Sequence, residues 1–440
     1  MDVNRKTAYQ VLLDVESRRS YSNLALNHHI IINKPTNQGF VRELVYGVLE
    51  NKMLLDYVID ALIPKDVEKM NVRDLTILRM GIYQLAKMNS VPEYAAVNES
   101  VVLAKRYARG REGFINGVLR GYINEKYSIK LPDRDEDEIR YLSIKYSYEP
   151  WIIKLWLESY DMDFVEELLK AGNEKPETCI RLNWLKVMKP DLIRNLEGKG
   201  FKVTEGKYSH NALYVSGGNL TEDRLYKNGL FSIQDEASQI AAQMLNPKHG
   251  DVVIDVCAGV GGKALAIAER MNNKGVVIAC DIYKRKVETV MQESRRLGVS
   301  IVQPRTWDAT RVDSTLVMKA DEVLVDAPCS GLGTIRRKPE IKYKNYSDAI
   351  STLPAKQLSI LSASAQYVKP GGLLIYSTCT INPYENERVV SDFLRRNKSF
   401  KSEETMQLLP NVNGTDGFFI CKLRRTKNLI DDWSEVDEKK

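Results

Sequence analysis

The sequence predicts a multidomain chain: an all-α bundle at the N-terminus, a small α+β linker region, and a C-terminal α/β domain built on a parallel sheet. Three observations carry this. Apolar residues keep helical spacing through residues 1–126 with no strand alternation. The pattern mixes between about 141 and 220, and from 229 onward short β-branched runs alternate with helical stretches. At 440 residues the chain is long enough for several domains of ~150 residues each, with cores that need no disulfide or metal staple.

Taken in order, Ala8, Val11, Leu12 and Val15 mark one buried face of a first helix. QGFVRELVYGVLENK, LLDYVIDAL, DLTILRMGIYQLAKM and AAVNESVVLAKRYA continue the helical series, with Pro64 and Pro92 at boundaries. The acidic stretch LPDRDEDEIR (131–140) reads as a linker, because charge dominates and apolar period is absent. EPWIIKLWLESY and DFVEELLKAG read as helices, TCIRLNWL and NALYVSG as short strands. VVIDV, GVVIAC, DEVLVD and GLLIYS read as the strands of the C-terminal sheet, with KALAIAERM and RKVETVMQESRRLG as helices between them. The expected domain ranges are 1–130, 131–225 and 226–426, followed by a polar C-terminal tail at 427–440.

Composition excludes several classes. Apolar residues make up 43% and charged residues 28%, which rules out collagen, low-complexity and wholly disordered chains. No stretch approaches the ~20 apolar residues that span a bilayer. MDVNRKTAYQ lacks an apolar signal core, so a cytoplasmic protein is expected. Six scattered cysteines with no CxxC pair point to reduced thiols. The four histidines, His28, His29, His210 and His249, lack metal-ligand spacing, so no metal is expected. The net charge of +6 permits a polyanionic partner.

The segment VVIDVCAGVGGKALAIAERM (252–271) places a glycine-rich turn between a strand and a helix. Glycines there let the backbone turn sharply and approach a ligand, with helix N–H groups aimed at it. Gly259-x-Gly261-x-x-Ala264 formally fits a dinucleotide site, although that match alone is weak. A P-loop fails, since it would need Gly at the position of Cys257 and Ser or Thr at that of Ala264. The third reading is S-adenosylmethionine, whose aminoacyl tail and sulfonium need backbone and carboxylate contacts but no pyrophosphate cradle. Acids follow in register at successive strand ends. Asp281, about 20 residues after the glycines, is placed to accept from ribose hydroxyls, and Asp308 to hold an adenine amino group. Together they define a nucleoside-bearing cofactor across the carboxyl edge of the sheet.

Two cysteines carry the chemistry. Cys329 lies in VDAPCSGLGTIRRKPEIKY (325–343) and Cys379 in YSTCTINPYENE (376–387), each just after an expected strand. Most intracellular cysteines are small buried hydrophobes, and Cys179, Cys280 and Cys421 read that way. Polar loops surround the other two. The residues alone leave open which of the two attacks.

DAPCSG with RRKPEIKY, and then STCTINPYENE, resemble the RNA 5-methylcytosine methyltransferases of the NOL1/NOP2/Sun (Fmu) family. FSIQDEASQIAAQML (231–245) is similar to that family's segment before the cofactor loop, and NGTDGFFICKL (413–423) to its closing strand. The N-terminal helices resemble the NusB-type RNA-binding domain, a combination found in bacterial members that modify ribosomal RNA. The resemblance covers nearly the whole chain. It departs at the cofactor loop, where the family's CAAPGGKT is CAGVGGKA here: Gly259, Val260 and Ala264 differ, while Gly261, Gly262 and Lys263 remain.

The resemblance implies a Rossmann-like, S-adenosylmethionine-dependent enzyme that methylates carbon 5 of a cytosine in 16S ribosomal RNA, the alternative being another RNA. It implies that Cys257, Ala258, Gly259, Val260, Gly261, Gly262, Lys263, Asp281, Asp308 and Asp326 hold the cofactor. Cys379 would be the nucleophile, Cys329 would assist product release, and Asp326 would hydrogen-bond the cytosine edge. The chemistry needs such a set: carbon 5 of cytosine is a poor nucleophile until a thiolate adds to carbon 6. The basic run RRKPEIKYK (336–344) makes Arg336, Arg337, Lys338, Lys342 and Lys344 candidate phosphate contacts. The target base must leave any stack, so single-stranded or loop RNA of the small subunit is the expected partner, with the protein a monomer away from membranes. Residues 1–126 hold 18 Lys+Arg against 14 Asp+Glu, compatible with RNA binding or protein docking. A nicotinamide oxidoreductase would leave both cysteine motifs idle, and a non-catalytic RNA-binding protein would be indifferent to Cys379→Ala.

Overall fold

The computed structural model describes residues 1–18, 20–64, 66–344 and 347–426. The expected polar tail at 427–440 lies outside them. The described residues form two compact units. The first joins Met1–Glu174 to a distant segment, Ile335–Lys344; the second holds Lys175–Thr334 and the residues after that segment.

In the first unit the expected helical series is present as Val3–Arg18, Ser22–Asn33, Gln38–Glu50, Lys52–Leu62, Val72–Lys87, Glu93–Tyr107 and Glu112–Glu125. Ala8, Val11, Leu12 and Val15 are buried, as their spacing requires. Three further helices, Glu138–Tyr146, Pro150–Leu157 and Met162–Ala171, fall within this same compact unit. Their apolar faces are buried, with Leu142, Ile152, Trp156 and Leu168 among the residues covered. The acidic stretch 131–140 is only in part a linker. Asp137 accepts from the Arg140 N–H at 2.9 Å and so caps a helix that starts inside it.

The segment Ile335–Lys344 is built into this helical unit. Glu340 accepts from Ser22 N–H at 3.0 Å and Ser22 Oγ at 2.8 Å, in the first turn of the helix Ser22–Asn33. That helix has Tyr21 at its N-cap, with no side-chain acceptor of its own, so Glu340 supplies the missing cap from far along the chain. Tyr343 donates its hydroxyl to the Leu49 carbonyl at 2.7 Å.

The second unit contains two sheets. The smaller is antiparallel, with β1 (Thr178–Leu182), β2 (Lys202–Glu205), β3 (Ala212–Ser216) and β4 (Phe231–Ile233) in the order β2-β3-β1-β4. The helix Lys189–Glu197 contributes Leu192 and Leu196 to its core, beside Ile180, Leu213 and Phe231. The larger sheet holds β5 (Val252–Asp255), β6 (Val276–Asp281), β7 (Val302–Thr306), β8 (Ala320–Asp326), β9 (Val368–Thr378), β10 (Phe400–Leu408) and β11 (Phe418–Arg425). Its order is β10-β11-β9-β8-β5-β6-β7, parallel from β9 through β7 and antiparallel at β11 and β10. The chain runs from β5 outward through β6 to β7, then crosses to β8 on the other side of β5. The carboxyl ends of β5 and β8 therefore flank a topological switch point, where open α/β sheets form their crevice. β7 carries Pro304, which an edge strand tolerates because one side of it needs no partner.

Candidate active site

Because β5, β6, β8 and β9 run parallel, the residues at their carboxyl ends share one edge. Asp255 ends β5, Asp281 ends β6, Asp326 ends β8 and Cys379 follows β9 directly. Register brings Asp326 opposite Ser377.

The glycine turn sits between β5 and the helix Gly262–Arg270. Gly259 and Gly261 both have positive φ, at 59° and 93°, which favours glycine at both positions. A Cβ on Gly259 would meet nothing within 4 Å, so open space lies over the turn. Val260 faces outward, 56% exposed. The loop is tied down by Ala258 N–H to the Cys280 carbonyl at 2.7 Å and by Gly259 N–H to Asp281 Oδ2 at 3.1 Å. Cys257 is anchored through its N–H to Asp255 Oδ1, while burial and then the charge of Asp255 hold its thiol well above the usual range. From the smaller sheet, buried Arg181 donates to Gln234, to both oxygens of Glu269 and to the Gly262 carbonyl at 2.7 Å. This fixes the start of the loop's helix.

Lys263 is buried and donates to Asp326 Oδ2 at 2.6 Å, while Ser377 Oγ donates to Asp326 Oδ1 at 2.9 Å. Burial alone would lower the Lys263 pKa, but Asp326, Asp255 and the Cys379 sulfur raise it above its usual value, so it stays a cation beside those groups. Asp255 is fully buried and its Oδ2 has no partner. Burial first, then the nearby Asp326, push its pKa up to about 7.

The Asp281 oxygens accept from the Gly259 and Tyr283 N–H groups and from Lys286 Nζ at 3.2 Å. Trp307 N–H bonds the Asp281 carbonyl at 3.1 Å, which draws the Asp308 loop to the same end of the sheet. Asp308 is half-buried and accepts from Thr310 at its N–H and hydroxyl, contacts that hold its pKa below the usual carboxylate value.

Cys329 and Cys379 meet: their sulfurs lie 3.2 Å apart, across 50 residues of chain. Both are half-buried. Hydrogen bonding to Cys379 first, and burial second, hold the Cys329 thiol well above the usual value. The two loops are interlocked. Gly333 N–H donates to the Cys379 carbonyl at 3.0 Å, Ser330 Oγ pairs with Thr380 Oγ1 at 2.8 Å, and buried Glu385 accepts from Ser330 N–H at 2.8 Å. Burial raises the Glu385 pKa. Neither Ser377 nor Gln357 was marked by the sequence, and Glu385 was visible only as part of the YENE run. Gln357, inside the helix Leu353–Ser364, carries no local signal at all.

The basic run Arg336 to Lys344 falls in the helical unit. Lys342 is wrongly read as a phosphate contact: it is fully buried and donates to the Glu50 carbonyl at 3.0 Å, the Tyr146 carbonyl at 3.2 Å and Asn173 Oδ1 at 2.5 Å. Arg336 and Arg337 are half-buried. Lys338 and Lys344 reach the solvent-facing ring of Tyr21, with their ammonium groups 5.4 and 5.2 Å from its centre. Among the described residues no helix is long and apolar enough to cross a membrane, and no group of His, Cys, Asp or Glu is placed to hold a metal ion.

Comparison with known proteins covers most of the chain. Residues 2–124 match the NusB family, residues 148–219 the ferredoxin-like domain of RsmF/B-like methyltransferases, and residues 242–424 the 16S rRNA methyltransferases RsmB/F. A probable ribosomal RNA small subunit methyltransferase B from Bacillus subtilis is 36% identical, over 96% of this chain and 98% of that one. One of the same description from Synechocystis is 32% identical over 96% and 99%. A solved methyltransferase homologue from Pyrococcus horikoshii matches with a TM-score of 0.60 and 26% identity, covering 66% of this chain and 99% of its own. The solved protein PH0851 matches with a TM-score of 0.82 and 25% identity, over 95% and 98%. With the helical unit, the ferredoxin-like sheet and the glycine turn all in their expected order, the chain belongs to the RsmB/F (Sun-type) family of S-adenosylmethionine-dependent methyltransferases with an N-terminal NusB domain.

Proposed function

We propose that this protein methylates carbon 5 of a cytosine in 16S ribosomal RNA, with Cys379 as the nucleophile and S-adenosylmethionine as methyl donor, as a monomer in the cytoplasm. The observation that carries the reading is the meeting of two cysteine sulfurs at 3.2 Å beside the Lys263–Asp326 pair. The relatives named above as small subunit rRNA methyltransferases support the choice of RNA.

The residues fit the cofactor. Three carboxylates, Asp255, Asp281 and Asp326, gather at one edge, which repels a pyrophosphate and suits a cationic sulfonium and ammonium. The orphaned, buried Asp255 Oδ2 is an acceptor in need of a donor. Residues 257–263 would hold the aminoacyl end, Asp281 the ribose and Asp308 the adenine. Of the Asp281 partners, Lys286 is the one that bonds through a side chain, 44% exposed, so it is the contact a ribose diol displaces. The bound cofactor supplies an electrophilic methyl group.

The remaining steps belong to the protein's own side chains. The Cys379 thiolate, stabilised by the nearby Lys263 cation, bonds to carbon 6 and makes carbon 5 nucleophilic. Asp326 accepts from the amino and protonated N3 edge of the ring, held in place by Lys263 and Ser377. Cys329 stays protonated while it is hydrogen-bonded to Cys379, which suits it to a later role. Once Cys379 is bonded to carbon it no longer accepts that hydrogen bond, and the first cause of the raised Cys329 pKa is gone. Cys329 then gives its own proton to water, its thiolate takes the carbon 5 proton, and the carbon 6–sulfur bond breaks with its electron pair leaving on Cys379. Arg336, Arg337, Lys338 and Lys344, with the helical unit, contact RNA phosphates.

The test uses labelled methyl donor and 16S RNA. Cys379→Ala abolishes methyl transfer, and Cys329→Ala accumulates a covalent RNA–protein adduct seen as a slow band on a denaturing gel. Normal turnover by Cys329→Ala with no adduct would overturn the assigned roles. Bisulfite mapping of ribosomal RNA with and without the protein checks the base and its site.

A further inference from the structure

We propose that Glu385 is the positioning residue that holds Cys329 against Cys379, a role that rests on the reading of these two thiols as the reacting pair. Glu385 lies six residues after Cys379, yet its carboxylate grips the other cysteine's loop. Oε2 accepts from Ser330 N–H, the residue after Cys329, at 2.8 Å. The same oxygen accepts from Gln357 Nε2 at 2.8 Å, and that Nε2 also donates to the carbonyl of Pro328, the residue before Cys329, at 3.0 Å. The backbone on both sides of Cys329 is thus fixed by one carboxylate, directly on one side and through Gln357 on the other. Oε1 is held by Asn382 Nδ2 at 2.8 Å, and the Glu385 carbonyl by the Tyr376 hydroxyl at 2.6 Å. The carboxylate is therefore rigid with respect to the Cys379 loop.

This arrangement is costly for a purely structural one. Glu385 is fully buried, and the groups around its carboxylate include two side-chain amides and the Ser330 N–H and hydroxyl, all neutral. A well-packed apolar side chain would stabilise such a site as well or better. Gln357 Oε1 is buried with no partner, an acceptor left orphaned so that its Nε2 can bridge Pro328 and Glu385. Both features make sense if the spacing of two loops, and not bulk stability, is what the carboxylate fork maintains.

The experiment is alkylation of the full-length protein with iodoacetamide, without RNA or cofactor, followed by peptide mass spectrometry. Cys280, 3% exposed in the sheet, reports global opening. In Glu385→Gln, an amide replaces an acceptor facing N–H donors. The ratio of Cys329 to Cys280 alkylation rates should rise about tenfold, the factor that loss of one hydrogen bond to a charged acceptor allows in a loop-opening equilibrium. The adduct with RNA should also accumulate, because the nucleophile remains and the releasing thiol is displaced. An unchanged ratio overturns the proposal. So does a parallel rise at Cys280, which would make Glu385 a plain fold-stabilising group. Should Glu385→Gln fail to fold, Gln357→Met, which cuts only the Pro328 arm, must shift the same ratio in the same direction. If Cys329→Ala itself forms no adduct, the assignment of the thiols falls, while the alkylation ratio still judges the clamp.

Discussion

Replacing Lys342 by methionine separates a structural lysine from an RNA-binding one. The variant keeps the length of the side chain and removes the amine, so the Glu50 carbonyl and Asn173 Oδ1 each lose a hydrogen bond, while the Tyr146 carbonyl keeps its second one, from Asn173 Nδ2 at 2.9 Å. Three lost hydrogen bonds at roughly 1 kcal/mol each, offset in part by no longer burying a charge, give a loss of about 2 kcal/mol. The loss depends on pH with a definite sign. Burial pulls the Lys342 amine down to about 7 from its usual 10.5. Below pH 7 the folded and unfolded chains both carry the proton, and this group adds no slope. Between 7 and 10.5 the unfolded chain binds a proton that the folded chain lacks, so wild-type stability rises with pH by ~1.4 kcal/mol per unit. The methionine variant has no such group, so the gap between the two proteins should widen by about 2 to 3 kcal/mol from pH 7 to pH 9. Guanidinium unfolding followed by far-ultraviolet circular dichroism at several pH values measures it, and the difference cancels the titrations the two proteins share. RNA affinity, measured on the folded variant against salt, should keep the wild-type slope. A phosphate contact would flatten the slope by about 0.7 per lost charge on single-stranded RNA, as Lys338→Ala and Lys344→Ala are expected to do. A gap that stays constant with pH, or a flattened slope in Lys342→Met, would refute this account of the buried amine.

Other outcomes follow from the same geometry. Asp326→Asn leaves the buried Lys263 cation without its carboxylate; denaturant titration should show a loss of roughly 3 kcal/mol, and methyl transfer should fall by about a hundredfold or more. Gly333→Ala places a Cβ 1.9 Å from the Gly417 carbonyl oxygen, so the Cys329 loop must shift, and wild-type turnover in that variant would contradict the interlock of the two loops. Asp281→Asn should weaken binding of S-adenosylhomocysteine about tenfold by calorimetry, the scale of one lost charge-assisted hydrogen bond, with the thermal midpoint little changed.

The layout of the C-terminal sheet was legible because it is local. Four β-branched runs and the acids at their ends are short patterns, and parallel strands bring their carboxyl ends to one edge once the βα alternation is recognised. The glycine turn was legible too, since positive φ at Gly259 and Gly261 leaves a residue-type signature. The N-terminal helices announced themselves by period, whereas the start of Glu138–Tyr146 was hidden by an acidic run whose Asp137 turned out to be its cap.

The failures have one cause. Lys342 sits in a run of charges and looks solvated, but its three acceptors lie 292, 196 and 169 residues away. Glu340 looks like one acid among bases and is the cap of a helix 318 residues upstream. By itself the sequence determined which chemistry is available: a cofactor turn, acids in register and two cysteines in polar loops. Tertiary structure alone decided that the two sulfurs touch, that Glu385 and Gln357 grip the loop between them, and that one lysine of the basic run serves as a buried strut. Side-chain type and spacing are written in neighbouring residues, but burial and hydrogen-bond partners are set by segments that meet only when the chain closes on itself, and no local pattern encodes that meeting.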